Sequence, residues 1–466
     1  MKNSIAELVQ KIETEFDVNE IHVKKFGKTF EAYPWVKAAL FHKFVIGKES
    51  LAQRSVKSLL DQFKSLLYGT WNLFLRKYEI WAFTTSVERV EINGAFTDKL
   101  FDKIASFTHG KVLIIEFRFF KKFPLRKITS KYVASKSLFL ISEELYKRIF
   151  LRKKIEITHN AFIEGMEHTL QCKVNVEAIV KKNLAQYKMM KFWLKILPKP
   201  KYVFLSVAYN HFGYIRAFKE SGIPVVEFQH GVIGGNHQAY NYAADMSPNQ
   251  YPDALAVFGA YEKEYILKHS NIPIQMVSII GRSITDHYLK LTTQRTKLEC
   301  ICVALQDGPI GDKAVQFLLD FNSISKHRYT FHLVPRRRSE FSYKEQFSFP
   351  DNFIFSKQNI YETVSKCDVH ITAYSTVASE ALSMGKRSIL INIEGKAQEV
   401  FNSSLGSNPY VHFIEHIEQL SELLKTHQIN SSSSEIAASN DKNIKTSYKR
   451  NCIALLEMLP NIKPQL

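Results

Sequence analysis

Residues that could accept a proton lie near the middle of the sequence, where a predicted strand ends. The strand IPVVEFQHG (223–231) ends in Gln229-His230-Gly231, and Gly234 follows shortly after. An imidazole titrates near neutral pH, and glycine lets a ligand approach the backbone closely. We therefore expect His230 to be a general base, with ligand contacts at the backbone of Gly231 and Gly234. A structural histidine at a tight turn is the alternative. Glu227 is expected on the same strand face as Gln229.

A second set of candidates follows the predicted strand DVHIT (368–372) and suits the binding of a nucleotide. Ser375 and Thr376 stand where a helix would begin, so their hydroxyls and the first N–H groups of that helix can bind phosphate. Glu380 lies about one turn further on, where it can accept hydrogen bonds from ribose hydroxyls. An ordinary helix cap is the alternative for Ser375 and Thr376.

Two further strand ends add basic and glycine-containing loops. Three adjacent arginines follow YTFHLVP (329–335), and we expect Arg336 to face a diphosphate or nucleotide monophosphate. A solvated run of charge is the alternative. After ECICVAL (299–305), Gln306 and Gly308 begin a loop that suits backbone contacts with phosphate, although it is not GxGxxG and lacks a Walker lysine.

The elements that must position these residues are short apolar runs alternating with amphipathic segments. Runs typical of buried parallel strands occur at 78–85, 111–117, 137–142, 201–207, 223–231 and 253–259, and again at 274–281, 299–305, 329–335, 368–372, 388–393 and 410–414. Helical segments lie between them, for example at 214–222, 314–325 and 376–385. This alternation predicts an α/β protein with two doubly wound, Rossmann-like domains.

The domain boundaries follow from changes in this texture. Residues 1–70 are expected to form an N-terminal helical extension, and 71–265 a first Rossmann-like domain. Residues 266–428 are expected to form a second Rossmann-like domain. The remaining segment, 429–466, is expected to hold a polar loop and a C-terminal helix.

Several sequence signatures of metal and nucleophile chemistry are missing. There is no DxD triplet, HExxH, GxSxG or CxxC, so we expect a metal-independent reaction without a cofactor. The five cysteines are scattered and indicate neither a disulfide framework nor a zinc site, which fits a reducing compartment.

The positive charge is concentrated in one part of the chain. Residues 101–200 carry 21 Lys and Arg against 8 Asp and Glu, which accounts for most of the net charge of +18. Such a region attracts phosphate on a bilayer or on nucleic acid, and a merely solvated surface is the alternative. The residues expected to contact a membrane or the acceptor are Lys121, Lys122, Arg126, Arg152, Lys153 and Lys154. With no secretory leader and no apolar run of spanning length, we expect a cytoplasmic protein that is peripheral on the inner face of the membrane.

Four motifs in sequence order resemble those of a known enzyme group. HG (230–231), GRSITD (281–286), HLVPR (332–336) and AYSTVASEAL (373–382) are similar to the HG, GxPRxD, HPR and S-x-YSS-xxx-D/E motifs of GT-B transferases that build bacterial surface polymers. That group includes the CDP-glycerol glycerophosphotransferases of teichoic acid and related capsule transferases. The resemblance covers about 200–395. It departs from the family at Arg282-Ser283, which replace Pro-Arg, and in the two residues that separate His332 from Pro335.

This resemblance implies a GT-B fold, with the two Rossmann-like domains facing each other across a cleft that holds the active site. It implies that 71–265 is the acceptor side and that 266–428 binds the nucleotide donor. It implies transfer of a sugar from a nucleotide-sugar donor to a polysaccharide or a lipid-linked glycan of a capsule or lipopolysaccharide. His230 would be the base or a phosphate contact, and Glu227 or Asp98 could take the same proton. Donor binding would fall to Gln306, Gly308, His332, Arg336, Ser375, Thr376 and Glu380.

Three other functions stay open at this point. A polyol phosphate transferase of the CDP-glycerol type and a nucleotide-sugar 2-epimerase share the predicted fold, and the epimerase would give the basic region no role. A nucleic-acid-binding protein would use that region, but no nucleic-acid module is recognisable, so nucleic acid is an unlikely partner.

Overall fold

The structure is a computed structural model that describes residues 5–15, 17–46, 56–117, 123–158, 160–169, 173–235, 237–292, 298–336, 338–425 and 432–465. The chain divides into two compact units. The first unit holds the described residues within Met1–Val257, Glu262–Ser278 and Cys452–Leu466. The second unit holds those within Phe258–Tyr261 and Ile279–Asn451. The last residues of the chain therefore return to the first unit.

The first part of the chain contains the following helices and strands. The helices are α1 (Ile5–Glu15), α2 (Tyr33–Ile46), α3 (Val56–Ser65), α4 (Asn72–Leu75), α5 (Asp102–Phe107), α6 (Ser137–Phe150), α7 (Asn160–Thr169), α8 (Val176–Ile196), α9 (Phe212–Lys219) and α10 (Ala260–His269). The strands are β1 (His22–Lys25), β2 (Lys28–Glu31), β3 (Ile80–Thr85), β4 (Arg89–Ile92), β5 (Ala95–Asp98), β6 (Val112–Phe117), β7 (Val133–Ser135), β8 (Tyr202–Ser206), β9 (Val225–Phe228), β10 (Ala254–Val257) and β11 (Met276–Ile279).

A seven-stranded sheet with the order β11-β10-β9-β8-β3-β6-β7 forms the centre of the first unit. The pairs from β10 through β7 are parallel. Counted along the chain from β3, this is the doubly wound order 3-2-1-4-5-6 with one strand added at the edge. The sheet is apolar on both faces because helices cover both. Trp81 and Phe83 of β3 lie within ring contact of Phe139 and Phe218 on one face, and Phe204 of β8 lies within ring contact of Phe101 on the other.

The second part of the chain contains the remaining elements. The strands are β12 (Cys300–Ala304), β13 (Thr330–Val334), β14 (Phe353–Phe355), β15 (Val369–Thr372), β16 (Arg387–Ile391) and β17 (Val411–Ile414). The helices are α11 (Ser283–Leu289), α12 (Pro309–Ile324), α13 (Glu340–Gln346), α14 (Ile360–Lys366), α15 (Val377–Ser383), α16 (Lys396–Leu405), α17 (Ile417–Lys425), α18 (Ser433–Ser439) and α19 (Tyr448–Met458).

The second sheet has the order β14-β13-β12-β15-β16-β17, and all of its pairs are parallel. This is the doubly wound order of a dinucleotide-binding fold, with β12 as the first strand and β15 as the fourth. The chain reverses its direction of winding between these two strands, so a crevice forms beyond their carboxyl ends. The two sheets confirm the predicted fold class.

Two predicted strands are placed differently by the structure. SLFLIS (137–142) begins helix α6, because the first turns of this helix are buried on most sides and therefore read as a continuous apolar run. The segment 274–281 contains β11, which lies at the edge of the first sheet, whereas the sequence pattern placed it in the second domain. Its composition identified a strand but carried no information on which sheet it joins.

The termini also hold elements that the sequence reading missed. Within 1–70, β1 and β2 form a hairpin whose two turn residues, Phe26 and Gly27, both have positive φ, as a tight hairpin turn requires. Side chains of this region enter the core of the first unit, among them Phe30 and Trp35. Within the predicted polar loop 429–440, Ser432 and Glu435 form a capping box that begins α18.

Candidate functional site

The carboxyl edge of the second sheet brings together most of the predicted donor-binding residues. β12, β13 and β15 are neighbours and run in the same direction, so the residues that follow them lie at one edge. Gln306 and Gly308 follow β12, Arg336 follows β13, and Ser375 and Thr376 follow β15. The reversal point between β12 and β15 therefore lies between Gly308 and Ser375, which is where ligands bind in sheets of this kind.

Helix α12 begins at this edge with no side chain capping its N-terminus. Its cap residue, Gly308, has φ +87°, a conformation that favours glycine, and the helix then runs for 16 residues. A Cβ on Gly311 would lie 1.8 Å from the carbonyl oxygen of Gln306, so this glycine is required by the close approach of the helix to the strand end. Because the first N–H groups of a helix have no partner within it, the start of α12 can bind an anion.

The arginines after β13 divide into an exposed residue and a structural one. Arg338 donates to the Asp312 carboxylate at 2.7 Å and stacks on the Tyr343 ring at 4.5 Å, so it fastens this loop to α12 and α13. Arg336 is exposed and forms no ion pair with any other described residue. Arg337 lies outside the described residues. Arg336 is therefore the arginine with a charge available to a ligand.

The Ser375-Thr376 turn supplies hydroxyls but only a short helix. The Ser375 Oγ accepts a hydrogen bond from the N–H of Val377 at 3.3 Å, while Thr376 is exposed and its side chain forms no cap bond. Helix α15 is seven residues long, so the field at its N-terminus is weaker than that of α12. Of these two helix starts, that of α12 is therefore the better suited to an anion.

Glu380 is held by an arginine that the sequence reading did not assign to the site. The Arg282 guanidinium donates to Glu380 Oε1, and both side chains are buried. Arg282 also lies over the Phe258 ring at 4.7 Å, which fixes its position. No spacing rule could have paired Arg282 with Glu380, but a buried arginine calls for an acidic partner.

His332 does not reach the carboxyl edge, so the predicted contact between His332 and the donor is wrong. It lies in the middle of β13, paired in register with Cys302 of β12. Its ring nitrogen lies within 4.8 Å of the thiols of Cys300 and Cys367. The two residues that separate His332 from Pro335 place the imidazole short of the strand end, among cysteines.

In the first unit, His230 belongs to a group of polar rings beyond the ends of β8 and β9. Its Nε2 lies 3.4 Å from the hydroxyl of Tyr209, which follows β8. The rings of His237 and Tyr240 complete the group, with centroids 5.6 Å and 6.0 Å from that of Tyr209. His230 is half-buried, so its imidazole is both oriented and reachable from solvent. The sequence analysis did not identify Tyr209, because it follows a different strand from His230.

Glu227 accepts hydrogen bonds that position this group of polar rings. It is buried, and its Oε1 accepts hydrogen bonds from the Ala208 N–H at 2.8 Å and the Tyr240 hydroxyl at 2.7 Å. Burial raises the pKa of Glu227 to about 7, although both hydrogen bonds oppose the shift. Burial, with the nearby Glu227 charge, also raises the pKa of Tyr209 and of Tyr240, so both phenols stay protonated. These contacts make Glu227 a positioning residue for the rings.

The glycines after His230 lie in an open part of the loop. A Cβ at Gly231 or at Gly234 would meet no other atom within 4 Å, so neither glycine is required by packing. Their carbonyl oxygens accept hydrogen bonds from Gln229 and Asn241, respectively. These hydrogen bonds therefore hold the loop in place, while the space beside both glycines is open.

Asp98 lies in a buried network of ion pairs and hydrogen bonds. Its Oδ1 accepts hydrogen bonds from the N–H groups of Leu100 and Phe101, and its Oδ2 accepts one from the Thr84 hydroxyl. Burial raises the pKa of Asp98 to about 7 against the attraction of Arg89. Since both oxygens are used, this arrangement is that of a structural carboxylate, which the sequence alone could not reveal.

The predicted basic surface is partly within the described residues. Arg126, Arg152, Lys153 and Lys154 are exposed, whereas Lys121 and Lys122 lie outside the described residues. Three neighbouring helices expose large apolar side chains: Leu60, Phe63 and Leu67 at α3, Leu145, Ile149 and Phe150 on α6, and Phe192 and Ile196 on α8. In the part of the chain that the structure describes, no helix is long and apolar enough to cross a membrane.

No protein-family model matches the chain, and no curated protein matches it. Solved structures similar to it include the UDP-GlcNAc 2-epimerase of Methanocaldococcus jannaschii, with 10% identity and a TM-score of 0.46 over 81% of this chain and 99% of that chain. The calicheamicin glycosyltransferase CalG4 is similar with 10% identity and a TM-score of 0.47, over 83% and 100% of the two chains. The wall teichoic acid polymerase TagF is similar with 11% identity and a TM-score of 0.45, over 93% and 98%. These neighbours include the enzyme groups that the sequence motifs resemble.

Proposed function

We propose that this protein is a glycosyltransferase that moves a sugar from a nucleotide-sugar donor to a polysaccharide or lipid-linked glycan. The observation that carries the proposal is the reversal point of the second sheet, where Gly308 begins an uncapped long helix beside the exposed Arg336. An uncapped helix start and a guanidinium at a reversal point are the features that bind a diphosphate.

In this proposal the second unit binds the donor. The diphosphate accepts hydrogen bonds from the first N–H groups of α12 and from Arg336. The Ser375 and Thr376 hydroxyls contribute further donors. Glu380 accepts hydrogen bonds from the ribose, and its ion pair with Arg282 keeps the carboxylate oriented.

The polar rings of the first unit act on the acceptor. His230 takes the proton from the acceptor hydroxyl, and Tyr209 orients the imidazole through its hydroxyl. The acceptor oxygen forms a bond to the anomeric carbon as the bond from that carbon to the nucleotide breaks. The electron pair leaves with the nucleotide diphosphate, whose charge Arg336 and the start of α12 stabilise without a metal ion.

The test is a nucleotide-binding panel on the full chain, read by thermal unfolding with CMP, CDP, UDP and GDP. One nucleoside diphosphate should raise the unfolding temperature with increasing concentration, because it binds only the folded state. In the Arg336→Ala variant, the nucleotide concentration needed for the same rise in unfolding temperature should be at least about tenfold higher, because one charge-assisted contact is lost. Arg328→Ala is the matched control, since Arg328 is exposed near the opposite end of the same strand.

The outcomes also separate the related functions. If no nucleotide stabilises the protein, the proposal is wrong. If the protein epimerised a nucleotide sugar in the absence of an acceptor, its activity would be that of a 2-epimerase instead. Stabilisation by CDP together with transfer of a polyol phosphate would replace it by a CDP-glycerol-type transferase. Salt-sensitive binding of nucleic acid with no nucleotide binding would indicate a nucleic-acid-binding protein.

We also propose that the protein is cytoplasmic and binds an anionic membrane peripherally through the first unit. The Ser137 hydroxyl donates to Gln62 at 2.6 Å, and Trp193 donates to Ser142 at 3.0 Å, so α3, α6 and α8 are neighbours. Their exposed apolar side chains and the nearby exposed run Arg152-Lys153-Lys154 combine insertion and charge attraction, as interfacial binding requires.

Cosedimentation with liposomes tests this second proposal. Vesicles that contain phosphatidylglycerol should pull down the protein, and pure phosphatidylcholine vesicles should not. Reversing Arg152, Lys153 and Lys154 to Glu should release it, whereas reversing the exposed Lys326, Arg328 and Lys357 of the second unit should not. Equal binding by both charge-reversed variants would remove the proposal.

A further inference from the structure

Three cysteines and a histidine meet on one face of the second sheet. Cys300 and Cys302 alternate with Ile301 along β12, so both thiols project from the face opposite the one that Ile301 uses in the hydrophobic core. Cys367 ends α14 just before β15, and His332 is the register partner of Cys302 on β13. The four residues come from three neighbouring parts of one unit.

The side-chain atoms of these residues are close together. The thiols of Cys300 and Cys367 are 3.0 Å apart, and Cys302 lies two residues along β12 from Cys300, on the same face of the sheet. The thiols of Cys300 and Cys367 and a ring nitrogen of His332 all lie within 4.8 Å of one another. The cysteines are buried, while His332 is half-buried and connects the cluster to the surface.

The backbone around the cluster is held in place independently of the thiols. The Asp368 carboxylate accepts hydrogen bonds from the N–H groups of Glu299 and Cys300 at 2.9 Å and 2.8 Å, and the Asp368 N–H donates to the Cys300 carbonyl. These bonds join the start of β12 to the segment that carries Cys367. The cluster is therefore positioned before any ligand binds, with a carboxylate nearby that favours a cation.

We infer that Cys300, Cys302, Cys367 and His332 bind one zinc ion in a closed, structural Cys3His site. In a tetrahedral zinc site, bonds of about 2.3 Å to sulfur place the ligand atoms about 3.7 Å apart. The Cys300 and Cys367 thiols would have to separate by less than about 1 Å to reach that spacing. Cys302 lies outside the 4.8 Å group formed by Cys300, Cys367 and His332, so its side chain would turn toward the ion to become the fourth ligand. Thiolate and imidazole ligands select zinc over the harder divalent ions, and binding releases the three thiol protons.

This site is separate from the proposed donor site. Cys300 is the first residue of β12, and about 13 Å of strand lies between it and Ala304 at the carboxyl edge. Four protein ligands leave no open position, so the ion would support the sheet and would not take part in the transfer. Zinc binding at this cluster therefore does not depend on the proposed transfer activity.

The test measures metal in the full chain, purified under reducing conditions without a chelator. Mass spectrometry of the metals should find about one zinc per chain, and replacement by Co²⁺ should give the thiolate charge-transfer and tetrahedral d–d absorption bands. EDTA should lower the unfolding temperature. Cys302→Ser should lose the metal, and Cys452→Ser, which alters a buried cysteine of the first unit, should keep it.

Three results would overturn the inference. The first is a wild-type protein that contains no zinc and gives no tetrahedral cobalt spectrum. The second is a Cys302→Ser variant that keeps its full metal content. The third is a native disulfide between Cys300 and Cys367 in the reduced preparation. The cobalt spectrum of the wild-type chain decides the matter even if the Cys302→Ser variant does not fold.

Discussion

Arg282 and Glu380 form a buried ion pair within the second unit, although 98 residues separate them in the sequence. The pair joins the N-terminal end of α11 to α15, and the Phe258 ring covers the guanidinium. A buried pair of this kind contributes little net stability, but either partner alone is costly. Its clearest consequence is that the Glu380 carboxylate has a fixed position.

A double-mutant cycle on this pair tests that relationship. Arg282→Ala or Glu380→Ala alone should each lower the free energy of unfolding by about 3 kcal/mol, because each leaves a buried charge without its partner. The double variant should cost less than the sum of the two, with a coupling of at least about 1 kcal/mol in urea denaturation. The exposed pair Lys313 and Glu394 is the control, and its coupling should be close to zero. Additive losses for Arg282 and Glu380 would contradict the pairing.

His230 should be required for transfer and not for nucleotide binding. His230→Ala removes the proposed base, so we expect the transfer rate to fall about 100-fold or more, the usual range for general base catalysis. The nucleotide-induced rise in unfolding temperature should stay unchanged. Tyr209→Phe, which removes only the hydroxyl near His230, should give a smaller loss.

The exposed His168 provides the matched histidine control for this experiment. It lies in the last turn of α7, a helix that contributes no residue to the polar rings. His168→Ala should transfer at the wild-type rate. A His230→Ala enzyme that also retained the wild-type rate would show that the proton goes elsewhere.

Much of the fold could be predicted because buried parallel strands are visible as short apolar runs. The runs at β3, β8, β12 and β15 mark strands of both sheets, and the residues that follow them mark the functional edges. Strand order and sheet membership depend on pairing between distant segments, so β11 was placed in the other domain. The start of α6 read as a strand because burial on most sides hides the helical period.

The candidate site was predictable to the extent that it follows local position. Gly308, Arg336 and His230 lie at strand ends, as their sequence neighbours indicate. The partners that fix a side chain come from elsewhere in the chain, and no local pattern shows them. This is why Arg282 was missed as the partner of Glu380. It is also why Asp98 and His332 were assigned to chemistry, although Asp98 is bound within a buried network and His332 lies beside Cys300 and Cys367.

Glu227 should make the stability of the protein depend on pH. Its pKa is about 7 in the folded state against 4.5 for an ordinary glutamate. The folded state therefore binds the proton more tightly, so the stabilising contribution is complete below pH 4.5 and is lost as the pH rises through about 7. Glu227→Gln removes this dependence.

The comparison is urea denaturation of the wild type and Glu227→Gln at pH 5 and pH 8. The variant should gain stability relative to the wild type at the higher pH, by up to about 3 kcal/mol. Asp98 titrates in the same range but is present in both proteins, so its effect cancels. A difference that does not change with pH would show that Glu227 is ionised throughout.

Val207 is held in a conformation that a β-branched residue rarely adopts. It has φ 59° and ψ 64° at the end of β8, directly before the Ala208 N–H that donates to Glu227. The left-handed region costs such a residue about 1–2 kcal/mol, and glycine adopts it freely. Val207→Gly should therefore match or exceed the stability of Val207→Ala in urea denaturation, the reverse of the usual order of these residues. If Val207→Ala proved clearly more stable than Val207→Gly, the turn would not be strained. Because this turn also positions Tyr209, Val207→Gly should reduce the transfer rate even where it leaves stability intact.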